Sequence, residues 1–204
     1  MAGSLVRATR GAGLLEGFLA RKRREKALDL LRPSGAITGV LDIGCGAFPL
    51  LLMNIEAAER IGIDQSVEPD VARASAARGI EIVAHDLARN PSLPYESGRF
   101  EVVTMLAVIE HVPRDAGLTV AREVHRVLKH GGKFILTTPA AWTDPILRSM
   151  ARLGLVSAQE IDEHKALFTR ATLGTLLRDA GFDRSRITVG AFELGMNLWA
   201  LAIR

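Results

Sequence analysis

Short apolar runs with β-strand character recur along the chain at Ile37–Ile43, Arg60–Asp64, Ile80–Ala84, Phe100–Met105 and Lys133–Thr138. Between them, stretches near 47–58, 67–78 and 115–129 space their apolar residues for helices, and that alternation predicts a parallel sheet with crossover helices. The clearest helix precedes the fifth run: Val120, Val124, Val127 and Leu128 share one face, and Gly131-Gly132 ends it. A later helix is expected from a Thr169 cap through Leu173, Leu176, Leu177 and Ala180 to Gly181. The closing runs Ile187–Glu193 and Asn197–Ile203, separated by Leu194-Gly195-Met196, read as an antiparallel pair.

Upstream of this rhythm, residues 1–35 form an N-terminal arm. Leu14, Leu15, Phe18, Leu19, Ala27, Leu30 and Leu31 alternate with Arg21-Lys22-Arg23-Arg24, the pattern of a basic amphipathic helix ended by Pro33 and Gly35. We expect it to pack on the edge of the sheet. The remainder, 36–204, reads as one domain with an insertion at about 140–168. The 29 residues between Pro139 and Thr169 far exceed the roughly 4–6 of an ordinary connection. Trp142, Met150, His164 and Phe168 within it are expected to line a substrate pocket beneath a lid.

Composition narrows the class. With 204 residues, 48% hydrophobic and 24% charged, the chain has the makings of one compact core. Its single cysteine, Cys45, can build neither an internal disulfide nor a cysteine-rich zinc site, which points to a reducing, cytoplasmic setting. The net charge of +3 is concentrated: residues 1–32 hold 8 Lys/Arg against 3 acids, and the rest 18 against 20. The body therefore lacks a basic surface for nucleic acid, while the arm could touch an anionic membrane peripherally. No run reaches the 18 or so apolar residues of a spanning helix.

The chemistry concentrates in Val40-Leu41-Asp42-Ile43-Gly44-Cys45-Gly46-Ala47-Phe48-Pro49, a buried strand ending in an acid, then a glycine turn, then an expected helix start. Glycines there let a ligand approach the backbone closely. Asp64 ends the second strand, 22 residues after Asp42, where an acid can accept hydrogen bonds from ribose hydroxyls. Asp86 follows the third. Carboxylates ending successive strands suit a ligand with ribose hydroxyls and an amine, and would repel a pyrophosphate. A nicotinamide oxidoreductase is disfavoured further by Pro49 where its fingerprint needs glycine, and by the lack of a Tyr-x-x-x-Lys pair around the lone Tyr95.

With Phe100-Glu101-Val102-Val103, Glu110-His111-Val112, Arg126-Val127-Leu128-Lys129-His130-Gly131-Gly132-Lys133 and Ala180-Gly181-Phe182 in order, the chain from about Val40 onward resembles the class I S-adenosylmethionine-dependent methyltransferases, in their small-molecule branch. The resemblance implies an α/β, Rossmann-like doubly wound sheet of order 3-2-1-4-5-7-6 with strand 7 antiparallel. It implies S-adenosylmethionine as cofactor and S-adenosylhomocysteine as product. Gly44, Cys45 and Gly46 would pass beneath the methionine portion, with Asp42 near its amino group. Asp64 and Gln65 would hold the ribose, Asp86 and the Leu87 backbone would read the adenine edge, and the Leu106 carbonyl would meet the ammonium. The acceptor implied is a small or lipid-like metabolite, methylated on O, N or C, with His111 or His164 as candidate general bases. A non-catalytic S-adenosylmethionine-binding scaffold is the alternative. Phe48 replaces a glycine frequent in the first motif. Ubiquinone O-methyltransferases carry a metal-binding Glu where this chain has Ala107, so no metal is assigned.

Overall fold

A computed structural model of the chain describes residues 15–31, 36–157 and 166–204, apart from the side chains at 114 and 115. The N-terminal helix α1 covers Glu16–Leu31, and the strands are β1 Ile37–Ile43, β2 Ala57–Asp64, β3 Glu81–Ala84, β4 Phe100–Leu106, β5 Leu128–Pro139, β6 Ile187–Phe192 and β7 Asn197–Ile203. Among them run α2 Pro69–Ala76, α3 Arg114–Val127, α4 Asp144–Arg152 and α5 Arg170–Asp179. The sheet order is β3-β2-β1-β4-β5-β7-β6, a doubly wound, Rossmann-like arrangement. Only β7 runs antiparallel to its neighbours, because the β6–β7 hairpin returns it beside β5. Order and direction match the expectation from sequence.

Period-two alternation divides the strand residues between the two faces. Leu41, Ile43, Val103, Met105, Phe134 and Leu136 meet α3 and α5 through Val120, Val124, Leu173 and Leu177. Val40, Val102 and Ile135 point the other way, where Ala27 and Leu31 of α1 join Leu51, Leu52 and Ile55. Thus α1 lies across β4 and β5 on the face of the sheet, and the expected edge packing is corrected. The apolar residues of its last two turns are core. Pro33 and Gly35, expected to end it, lie outside the described residues.

The helix expected at 47–58 does not form. A single 3-10 turn, Leu52–Asn54, stands there, and β2 begins at Ala57. Asn54 Nδ2 donates to the Leu50 carbonyl at 2.6 Å, capturing an acceptor that a continuing helix would use. Leu51, Leu52 and Ile55 turn inward to meet α1, which occupies the face such a helix would cover. The helix before the fifth strand also ends earlier than expected, at Val127, because Leu128 already begins β5 and Gly131-Gly132 lie within that strand rather than ending the helix. The cap expected at Thr169 does form. The Thr169 hydroxyl accepts from Thr172 N while the Thr172 hydroxyl accepts from Thr169 N, a reciprocal cap on α5.

Two charged residues of the sequence motifs brace the framework away from the glycine turn. Glu101 accepts hydrogen bonds from Thr38, the Gly39 backbone and Lys129, tying β1, β4 and β5 together, and these partners pull its carboxyl down to about 2 against the cost of burial. Arg126 donates to the carbonyls of Tyr95 at 2.8 Å and Leu93 at 3.0 Å, pinning the connection before β4 to α3.

Candidate functional site

At the C-terminal edge of β1, β2 and β4, a cavity of about 940 Å³ opens between the sheet, α1 and α4. One end is built by the glycine turn. Gly44 and Gly46 take φ of 73° and 72°, left-handed values that glycine adopts freely. The Gly44 and Cys45 amides both donate to the Ile63 carbonyl, at 2.7 and 3.2 Å, so the turn folds over the end of β2. A Cβ on Gly44 would sit 2.2 Å from Val108, so only a bare backbone fits. Cys45 is buried with its sulfur over Gly62, where a Cβ would approach to 2.7 Å, in keeping with a packing role.

The three acids converge. Asp64, 7% exposed, accepts from Gly46 N at 2.9 Å and Ser66 N at 3.2 Å, one bond to each oxygen, which fixes its carboxylate plane at the mouth of β2. Asp42 is 5% exposed and accepts a 2.6 Å bond from the Thr104 hydroxyl. Burial pushes its carboxyl up to about 7, the Thr104 bond drawing it partly back. Asp86 is more open and accepts from Ala88 N at 2.9 Å. Gln65, Leu87 and Leu106 line the same cavity, so every residue expected around the cofactor faces one space. The helix start expected after the glycine turn is absent.

The other end is apolar, with Leu15 just before α1 and Phe18 and Leu19 within it facing Leu147, Met150 and Val156 of the inserted segment. Arm and insertion are joined directly: Leu15 N donates to the Leu155 carbonyl at 2.9 Å, and Ser157 N donates to the buried Glu16 carboxylate at 3.0 Å. Met150 lines the cavity as expected. Trp142 and Phe168 do not, because the Trp142 indole donates to the Gly195 carbonyl and the Phe168 carbonyl accepts from Ala141 N, holding both in a neighbouring surface depression. His164 lies outside the described residues, and His111 lines the cavity just past β4.

Sequence reasoning missed several wall residues. His85 stands beside Asp86, and Arg23 and Arg24 reach in from α1. Glu193 and Asn197 come from the β6–β7 hairpin, with Asn197 Nδ2 donating to Glu193. Glu110 was legible only as part of a motif. It is 2% exposed, and burial raises its carboxyl above the ordinary value, opposed by His111, its own backbone, Arg23 and Thr138. Among the described residues, no group of three His, Cys, Asp or Glu side chains is arranged to hold a metal ion, and no helix is long and apolar enough to cross a membrane.

Comparison with known proteins defines the class. The family model described as a methyltransferase domain matches residues 14–184, and the chain belongs to that family. It is 32% identical over 154 residues to the ubiquinone biosynthesis O-methyltransferase of Sodalis glossinidius, covering 71% of this chain and 61% of that protein. It is 31% identical to the demethylmenaquinone methyltransferase of Lactococcus lactis, covering 74% of this chain and 69% of that one. The chain thus spans about three fifths of the length of the first of these relatives. An S-adenosylmethionine dependent methyltransferase from Mesorhizobium loti shares the fold at a TM-score of 0.65 and 21% identity, over 91% of this chain and 100% of that one.

Proposed function

We propose that the chain transfers a methyl group from S-adenosylmethionine to a small, largely apolar acceptor held between α1 and α4. The observation that carries this reading is the convergence of Asp42, Asp64 and Asp86 on a cavity whose far end is apolar. Asp64, its plane set by two amides, is suited to a ribose diol, with Gln65 beside it. Asp86 and the Leu87 backbone suit an adenine edge, and the backbone of Gly44, Cys45 and Gly46 leaves room for a methionine chain. Asp42 fits a cationic amine: buried with one hydroxyl partner it gains a proton easily, and an ammonium arriving beside it would hold it ionised. The Leu106 carbonyl, on the same cavity, would share that ammonium.

Bound there, S-adenosylmethionine would supply an electrophilic methyl group on a sulfonium whose charge disappears in the in-line displacement. The chain's own work is positioning and exclusion of water, for which α1, α4 and the Glu16–Ser157 and Leu15–Leu155 bonds form the cover. His111, on the cavity wall, would take a proton from an acceptor that starts protonated. The quinone-pathway names of the relatives favour a lipid-like acceptor. The arm and the insertion act as one lid over a cofactor-binding body.

Titration calorimetry tests the reading. S-adenosylhomocysteine should bind in the micromolar range, and tight NADH binding with none of S-adenosylmethionine or S-adenosylhomocysteine would overturn it.

A further inference from the structure

Beyond the three acids, the cavity holds a second polar group of side chains. Arg23 from α1, Glu110 from the turn after β4 and Glu193 from the β6–β7 hairpin line the same wall, from elements far apart in sequence. Each carries a polar atom shut from water and without a hydrogen-bond partner: Arg23 Nε, Glu110 Oε2 and Glu193 Oε1. Such groups are costly to leave unpaired. All three side chains line the cavity, and rotation about their terminal torsions would turn these atoms toward a partner bound there.

We propose that Arg23, Glu110 and Glu193 form the head-group subsite of the methyl acceptor, selecting an uncharged group that both donates and accepts hydrogen bonds, such as a hydroxyl. This rests on the cofactor reading above. The balance of charge carries the selection. A carboxylate or phosphate would meet Glu193 beside Arg23, and an ammonium would meet Arg23 beside the acids. One guanidinium and two carboxyls thus put both signs of charge on one wall, so a head of either charge meets a like charge there. A hydroxyl can donate to a carboxylate and accept from Arg23. The apolar remainder of the acceptor then lies along Phe18, Leu147 and Met150.

The test uses the whole chain saturated with S-adenosylhomocysteine, so that nothing turns over, and three probes of one shape: para-pentylphenol, para-pentylbenzoate and para-pentylbenzylamine. Calorimetry should rank the phenol first by about tenfold over either charged head. Arg23→Met should shift the ranking toward the amine, and Glu193→Gln toward the benzoate, each by about fivefold or more relative to the phenol. Both variants should bind S-adenosylhomocysteine within about threefold of the parent, which also reports that they are folded. A parent that prefers a charged head, a ranking unchanged in both variants, or no binding by any probe overturns the subsite. Loss of S-adenosylhomocysteine binding by the parent chain overturns the cofactor reading itself, so the two failures are told apart.

Discussion

Replacing Asp42 by Asn should make the ligand-free protein more stable at slightly alkaline pH and a poorer binder of its cofactor. The carboxyl lies in the sheet interior with one hydroxyl donor, and its pKa rises from 3.8 to about 7. Between those values the folded chain holds a proton that the unfolded chain has released. Stability therefore falls as pH rises through that window, and the whole penalty is present above it. A rise of roughly 3 units at about 1.36 kcal/mol each sets a ceiling near 4 kcal/mol. Asn retains the shape and a carbonyl to accept from Thr104 while removing the charge, but its amide needs a partner of its own, so we expect a net gain of about 1–3 kcal/mol at pH 8. At pH 5 the titration accounts for only about two fifths of its full size, and the gain should shrink in proportion. Urea unfolding of both proteins at pH 8 and pH 5 measures this, and S-adenosylhomocysteine titration should show about tenfold or greater weakening from the lost charge. Equal destabilisation of Asp42→Asn at both pH values would refute the burial argument.

Asp64→Ala should weaken S-adenosylhomocysteine binding by about 1.5–3 kcal/mol in calorimetry, as a charged hydrogen-bonding partner is lost. Gly44→Ala, strained in φ and driven into Val108, should lower stability by about 1–3 kcal/mol in urea and reduce cofactor affinity as well. Glu16→Ala removes the acceptor for Ser157 N, and hydrogen exchange at that amide should accelerate by about tenfold while the sheet amides stay protected. Glu101→Gln should cost about 1–3 kcal/mol at pH 7 by thermal unfolding. Because the Glu101 carboxyl is depressed from 4.5 to about 2, that cost should fade as pH drops through the same window.

The sheet and the cofactor end were legible because local signals and topology agree there. Ile37–Ile43 and Asn197–Ile203 appear with the boundaries their patterns predict, and Asp42, Asp64 and Asp86 reach one edge because each closes or nearly closes a parallel strand. The stretch after β1 was misread because Leu51, Leu52 and Ile55 are apolar at helical spacing for a tertiary reason: they pack under α1. Periodicity cannot distinguish a helix from a loop that buries the same side chains. The acceptor end was hidden for a related reason. Arg23, Glu110 and Glu193 meet only through long-range packing, and the basic run around Arg23 and the motif around Glu110 do not show that they share a wall. Trp142 failed as a pocket residue because an aromatic in an insertion has two surfaces to choose from, and a carbonyl of the β6–β7 turn holds the indole outside.

The placement of α1 has a consequence for the order in which the molecule assembles. A ribosome makes Glu16–Leu31 before any strand of the sheet, yet part of the surface that Ala27 and Leu31 occupy is contributed by Val102 and Ile135, which emerge much later. Until β4 and β5 are out that seat is incomplete, and the helix's basic, weakly apolar sequence gives it little reason to persist alone. A segment made before the whole sheet is therefore among the last to dock, across a long loop closure that slows folding. Every chain should pass through a state in which the sheet is formed and its ligand-binding edge lies open, with one wall of the pocket still undocked.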